Sequence, residues 1–493
     1  MLTILILSGT ARSQVRVPSV IGSHMVMQRN LPVHVWGTAT PGEKVEVAFR
    51  GETSGTVANG TGDWSVYLAP GKAGGPFELK VQGTRAGGAP ETPLVYTDIL
   101  VGDVWVASGQ SNMEFELARA ATAGQDVPRA GIADIRLLMV EKRSSQFAEE
   151  DVKTSGWTVS SPETAKSFSA VAWYFARELE QREHVPVGVI DATWGGTVAE
   201  SWLRLGAIGE DASLMPLFVS RGKMTEHGAK AEREVKDEQR QIAEATAAGK
   251  PVPQFPWHPP LESWGPGLLW NGMIAPLTPL AISGVVWYQG ESNSALERAP
   301  LYGRIFRVLI EDWRRQWGVG DFPFLYVQIA NFKSTPLEDW AALREQQAET
   351  LELRNTAMAV TIDVGNPDDV HPTDKVDVGL RLARAARALS YGEAVEYSGP
   401  VFRQATPEGA AIRVWFEHAK GLTAKGGELT SFEVAGADGK WHTATAKVEG
   451  ETIVASSAEV ALPLAIRYGW SNSPQCNLFN GEGLPASPFR SAR

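Results

Sequence analysis

A single cysteine, Cys476, stands in the 493-residue chain, so no internal disulfide can form and the fold must rest on its core. No segment beyond the N-terminus holds the roughly 18 uninterrupted apolar residues that a membrane-spanning helix needs. Runs of basic residues are also missing: 46 Lys and Arg face 57 Asp and Glu, a net charge of -11, which leaves no phosphate-tracking surface and makes nucleic acid a poor partner. Histidines number only eight, and no second His or Cys cluster stands ready to complete a metal coordination shell. Neither a metal nor an organic cofactor is therefore expected.

What is abundant is core material. Hydrophobic residues make up 43% of the chain and charged ones 21%, enough for a large core divided among more than one domain. The 17 tryptophans serve either as core or as platforms that stack on the apolar faces of sugars. Residues 1–14 join an apolar stretch to small residues, the pattern of a secretory leader that lacks its basic start, so a secreted or periplasmic location is expected.

Residues 15–98 alternate short apolar-polar runs, such as Val33-His34-Val35-Trp36, with turn clusters such as Pro41-Gly42 and Asn59-Gly60. That rhythm predicts an N-terminal antiparallel β domain. Over 99–395 apolar strands at 99–107, 187–192, 284–288, 324–329 and 357–362 alternate with helical patterns at 170–182, 302–317, 337–353 and 375–389. This predicts an α/β/α sandwich around a mostly parallel sheet, whose site lies in the loops after the strands. Residues 205–270 break the alternation with a polar helix pattern at 229–248 and a Pro- and Trp-rich stretch, and are read as an insertion beside the site. From 396 to 493 short strands return, predicting a C-terminal antiparallel β domain.

Two loops carry the chemistry. In the first, the apolar run Val104-Trp105-Val106-Ala107 leads into Gly109-Gln110-Ser111-Asn112, placing a serine between a strand end and a helix start, where backbone N–H groups can hold an oxyanion. Met113 stands where a Gly-x-Ser-x-Gly elbow needs its second glycine, so that motif is absent, and a helix N-cap is the plainer alternative role for Ser111. In the second, Asp363 to Pro372 also follows an apolar run. A serine hydroxyl needs an imidazole base and usually a carboxylate to orient it, and His371 has Asp368 three residues before it, with Asp369 as the alternative. The turns at Trp194-Gly195-Gly196-Thr197 and Gln289-Gly290-Glu291-Ser292-Asn293 offer further oxyanion donors, or are ordinary turn glycines and a core amide.

Together the blocks Gly109 to Glu114, Trp287 to Asn293 and Asp368 to Pro372 resemble the sialate O-acetylesterase family, a branch of the SGNH hydrolases. The likeness extends to Met25-Val26-Met27-Gln28-Arg29 and to Asn477 through Arg490 at the two ends of the chain. It implies an SGNH-type sandwich and a serine esterase that removes O-acetyl groups from a sugar or glycan through an acetyl-enzyme. Ser111 matches the nucleophile, and Asp368 and His371 match its activating pair. Gly195, with Gly196 as the alternative, and Gln289 match donors that complete the oxyanion hole with the Ser111 N–H, while Glu291 and Asn293 are expected to order their loop. Trp257, Trp264 and Trp270 in the insertion are the expected sugar contacts. An acetylxylan or other polysaccharide esterase, and an inactive sugar-binding protein on the same fold, are the rival readings.

Overall fold

The computed structural model describes residues 15–85, 87–253 and 263–491. The expected leader at 1–14 and Trp257 lie outside these residues. At the centre stand seven strands: β1 (Leu94–Gly109), β2 (Ile132–Val140), β3 (Thr154–Ser160), β4 (Val187–Thr193), β5 (Gly284–Tyr288), β6 (Phe324–Val327) and β7 (Thr356–Ala359). Their order is β7-β6-β5-β1-β4-β2-β3, and every neighbouring pair is parallel except β2 with the edge strand β3.

Consecutive apolar residues form these strands because helices cover both faces. Val104, Val106, Val285, Trp287 and Phe324 pack into one core, against helix α4 (Tyr302–Trp317) and helix α5 (Trp340–Glu349). Trp105, Ala107, Val189, Val286 and Leu325 point the other way, against α2 (Ala170–Glu183) and α6 (Val376–Ser390). The fold is thus an α/β/α sandwich. Trp105, Trp173, Trp202, Trp287 and Trp313 are fully buried, so for these five tryptophans core packing is the role.

Two strands lie outside the sequence expectation. β2 carries Arg136 in mid-strand, which reads as polar, yet this arginine is buried and donates from its two terminal guanidinium nitrogens to the Asp98 carboxylate. Residues 215–247 form one helix, α3 (Met215–Ala247), longer than the polar pattern alone predicts.

Antiparallel sheets flank the sandwich. On the N-terminal side Lys44–Phe49 pairs with Glu52–Val57 and with Gly74–Thr84, and alternate residues Val45, Val47 and Phe49 are buried. The first half of β1 continues this sheet by pairing with Gly74–Thr84, so residues on either side of position 98 belong to one strand. On the C-terminal side, Ala411–Glu417 pairs with Val401–Glu408 and Thr452–Ser456 over a core of its own.

Candidate active site

β1 lies between β5 and β4, so the loops leaving these three neighbours share one end of the sheet. Gly109 ends β1 at φ +133°, where an added Cβ would sit 2.2 Å from the Tyr288 carbonyl oxygen, so only glycine lets the two strands come this close. Gln110 then donates its N–H to that carbonyl and accepts, on Oε1, the N–H groups of Gly290 and Ser292. The Ser111 turn is thereby bolted to the loop after β5. Gln110, and not Ser111, is the N-cap of the short helix α1 (Ser111–Glu114). Met113 and Glu114 close their N–H groups on the Gln110 carbonyl, which leaves the Ser111 N–H at the open end of the helix.

His371 arrives from the far edge of the sheet, in the loop between β7 and α6, and its Nε2 lies 2.8 Å from Ser111 Oγ. Burial, then the positive charge of Lys375, hold the imidazole below its ordinary value near 6.5, so it is neutral and able to accept a proton.

The carboxylate partner differs from the expectation. The Asn366 side chain accepts the Asp368 N–H and the Asp369 N–H closes on the Asn366 carbonyl, a turn that throws Asp368 outward. Its side chain is 79% exposed and pairs with Lys333 at 3.0 Å. Asp369 instead faces the ring: its Oδ1 accepts the His371 N–H and stands 3.8 Å from Nδ1, too far for a hydrogen bond to the imidazole but near enough for charge to be felt.

Gly195 borders the serine, since a Cβ placed on it would lie 3.2 Å from Ser111 Cβ. Its N–H donates to Glu114 Oε2 at 2.5 Å, and the other oxygen of that carboxylate accepts from Lys142. Gly196 is buried at φ +74° and gives its carbonyl to Trp264 Nε1 at 2.7 Å. Gln289 does not offer its amide to Ser111: it is fully buried, and its Nε2 is spent on the Thr197 carbonyl and on Asn293 Oδ1. This side chain is a brace under the Gly195 loop, and Asn293 continues the brace by accepting the Ala199 N–H.

Of the expected sugar contacts, Trp270 is 3% exposed and packs on Trp313, which makes it core. Trp264 is half-buried beside the glycine turn, its ring covered by the Arg298 guanidinium at 4.8 Å. Sequence reading did not single out Gln110, Asn112, Glu114 or Lys375, although the first three sit inside the block Gly109 to Glu114 and the last lies four residues past His371. Among the described residues no group of three His, Cys, Asp or Glu side chains is placed to hold a metal ion.

Residues 260–388 match the family described as carbohydrate esterase, sialic acid-specific acetylesterase. The human sialate O-acetylesterase is 30% identical over 96% of this chain and 92% of its own length. The chain belongs to the sialate O-acetylesterase family. The mouse sialate O-acetylesterase is 29% identical over 99% of this chain and 97% of its own. In structure, a carbohydrate acetylesterase from Xanthomonas citri superposes with a TM-score of 0.83 at 37% identity, covering 97% of this chain and all of that one. As a member of this family the protein is a carboxylic ester hydrolase.

Proposed function

We propose that this esterase removes O-acetyl groups from a carbohydrate by way of an acetyl-Ser111 intermediate. The observation that carries the reading is the 2.8 Å contact between Ser111 Oγ and His371 Nε2, made by loops 260 positions apart. His371 takes the hydroxyl proton as Oγ attacks the acetyl carbonyl, then returns it to the departing sugar oxygen. In the second half it draws a proton from water as the water oxygen attacks the acyl carbon, then passes that proton to Ser111 Oγ as the ester bond breaks and acetate leaves.

The tetrahedral oxygen would be met by the N–H of Ser111, at the open helix end, and by that of Gly195 beside it. Each such donor contributes roughly 3 kcal/mol to lowering the barrier. Gly195 has the Glu114 carboxylate as its acceptor in this structure, so binding must exchange that carboxylate for the substrate carbonyl. Gln289 acts one step removed, by holding the loop that carries Gly195.

A sialate O-acetyl ester is the first substrate to test, because the curated relatives bear that name. The test compares acetate release from O-acetylated sialic acid and from acetylated xylan, for the parent and for Ser111→Ala. Ser111→Ala should lower turnover by roughly a thousandfold or more, and a serine-directed organophosphate should label the parent at Ser111. Near-parent rates in Ser111→Ala would refute the acetyl-serine route. Faster release from xylan than from sialate would move the substrate to a plant polysaccharide.

A further inference from the structure

Lys375 is fully buried, and its Nζ donates to Asn112 Oδ1 at 2.5 Å. The rings of Phe115 and Tyr288 lie beneath the ammonium at 4.7 and 5.4 Å. Asn112, itself 1% exposed, donates from Nδ2 to Glu291 Oε1 at 2.7 Å and to the Val370 carbonyl at 2.9 Å. Asn112 follows the serine in the chain and Val370 precedes the histidine, so one amide joins the neighbours of the two reacting side chains. Taking an ammonium out of water costs several kcal/mol even where a counter-charge is near, and Nζ here meets a neutral amide, so stability alone gives little reason for this lysine.

An asparagine amide has two ends of similar shape. Turned over, Asn112 would set its oxygen against the Glu291 carboxylate and the Val370 carbonyl and lose both hydrogen bonds. A donor, Lys375 Nζ, on one side and two acceptor oxygens on the other select the one orientation that ties the two loops together. We infer that Lys375 is a positioning residue: with Glu291 it fixes the Asn112 amide, and through that amide it holds the His371 loop against the Ser111 turn. The inference rests on the reading of Ser111 and His371 as the reacting pair.

A second consequence concerns the charge on His371. The charged groups that act on its ring are Lys375 and Arg119, which disfavour the imidazolium, and Asp369 and Glu114, which favour it. Burial brings Lys375 down to about 7, so it gains its charge as the pH falls toward the range below 6.5 in which His371 takes up its proton. Removing that cation must raise the histidine and move the acid limb of kcat/KM to higher pH.

The test uses the full chain with Lys375→Met and the double variant Lys375→Met/Glu291→Gln, which leaves no unpaired buried carboxylate. Folding is checked by circular dichroism, and the pH profile is taken with p-nitrophenyl acetate. Expected are a loss in kcat of roughly tenfold or more in both variants and an acid limb shifted upward. Parent-like kcat in the folded double variant, or a loss with the acid limb unmoved, would overturn the positioning role. Ser111→Ala is measured alongside. If it stays active, the reading of the site itself fails; if it is inactive while the double variant matches the parent, only the Lys375 inference fails.

Discussion

At neutral pH a serine hydroxyl is a poor nucleophile until a base takes its proton, and Ser111 has such a base within hydrogen-bond reach. Because burial and Lys375 keep His371 below 6.5, hydrolysis should hold its rate down to that pH and fall only under it, as the imidazole takes up a proton. A kcat/KM profile with its acid limb centred above 6.5 would contradict this. The two adjacent aspartates make a second prediction at this scale. Asp369→Asn removes the carboxylate charge 3.8 Å from Nδ1, and, since that side chain is 54% exposed and screened, should cost roughly three- to tenfold in kcat/KM. Asp368→Asn, which loses only a solvent-exposed pair with Lys333, should stay within about twofold. The reverse ranking would show that the loop turns Asp368 inward during turnover. The spacing Asp-x-x-His could be read in the sequence, but which aspartate faces the ring depends on the Asn366 turn, a hydrogen-bond choice that spacing does not encode.

Among the elements, β5 and α4 match their expected bounds because each is bracketed by a clear change of pattern. β2 and β3 escaped the sequence reading for a physical reason. Arg136 breaks the apolar run of β2, and the distant Asp98 carboxylate, with the Ala133 carbonyl, makes its burial tolerable. The junction of β1 with helix α1 is a tight point between elements. Gly109→Ala would push a methyl against the Tyr288 backbone at a φ that alanine resists, and should destabilise the protein by about 3 kcal/mol. Urea unfolding would measure this, and a change under about 0.5 kcal/mol, the size of an ordinary surface substitution, would mean that the strands can part at no cost.

Over the whole molecule the C-terminal β region is fastened to the sandwich by a buried arginine. Arg344, fully buried on α5, donates to the Ile329 and Ala330 carbonyls of its own sandwich and to the Ser471 and Asn472 carbonyls of the C-terminal region. Arg344→Met would leave four carbonyls without this donor and should cost about 3–5 kcal/mol, measured by urea or thermal unfolding. Activity per folded molecule should be little changed, because Arg344 makes no contact with Ser111 or His371. An unchanged midpoint would mean that this junction carries little of the stability.

The sequence by itself determined the sandwich, the serine turn and the histidine loop, because strand and helix periodicities and a serine at a strand end are local properties of the chain. Tertiary structure alone decided which groups meet. β1, β4 and β5 are neighbours, whereas the loop after β7 must cross from the edge of the sheet, and its meeting with Ser111 depends on side chains hundreds of positions apart. Gln289 shows the same limit: its position after β5 is written in the chain, but the direction of its amide is set by Thr197 and Asn293, which between them accept both of its hydrogens. Periodicity reports which face of an element is buried. It does not report which partner a buried polar group finds there.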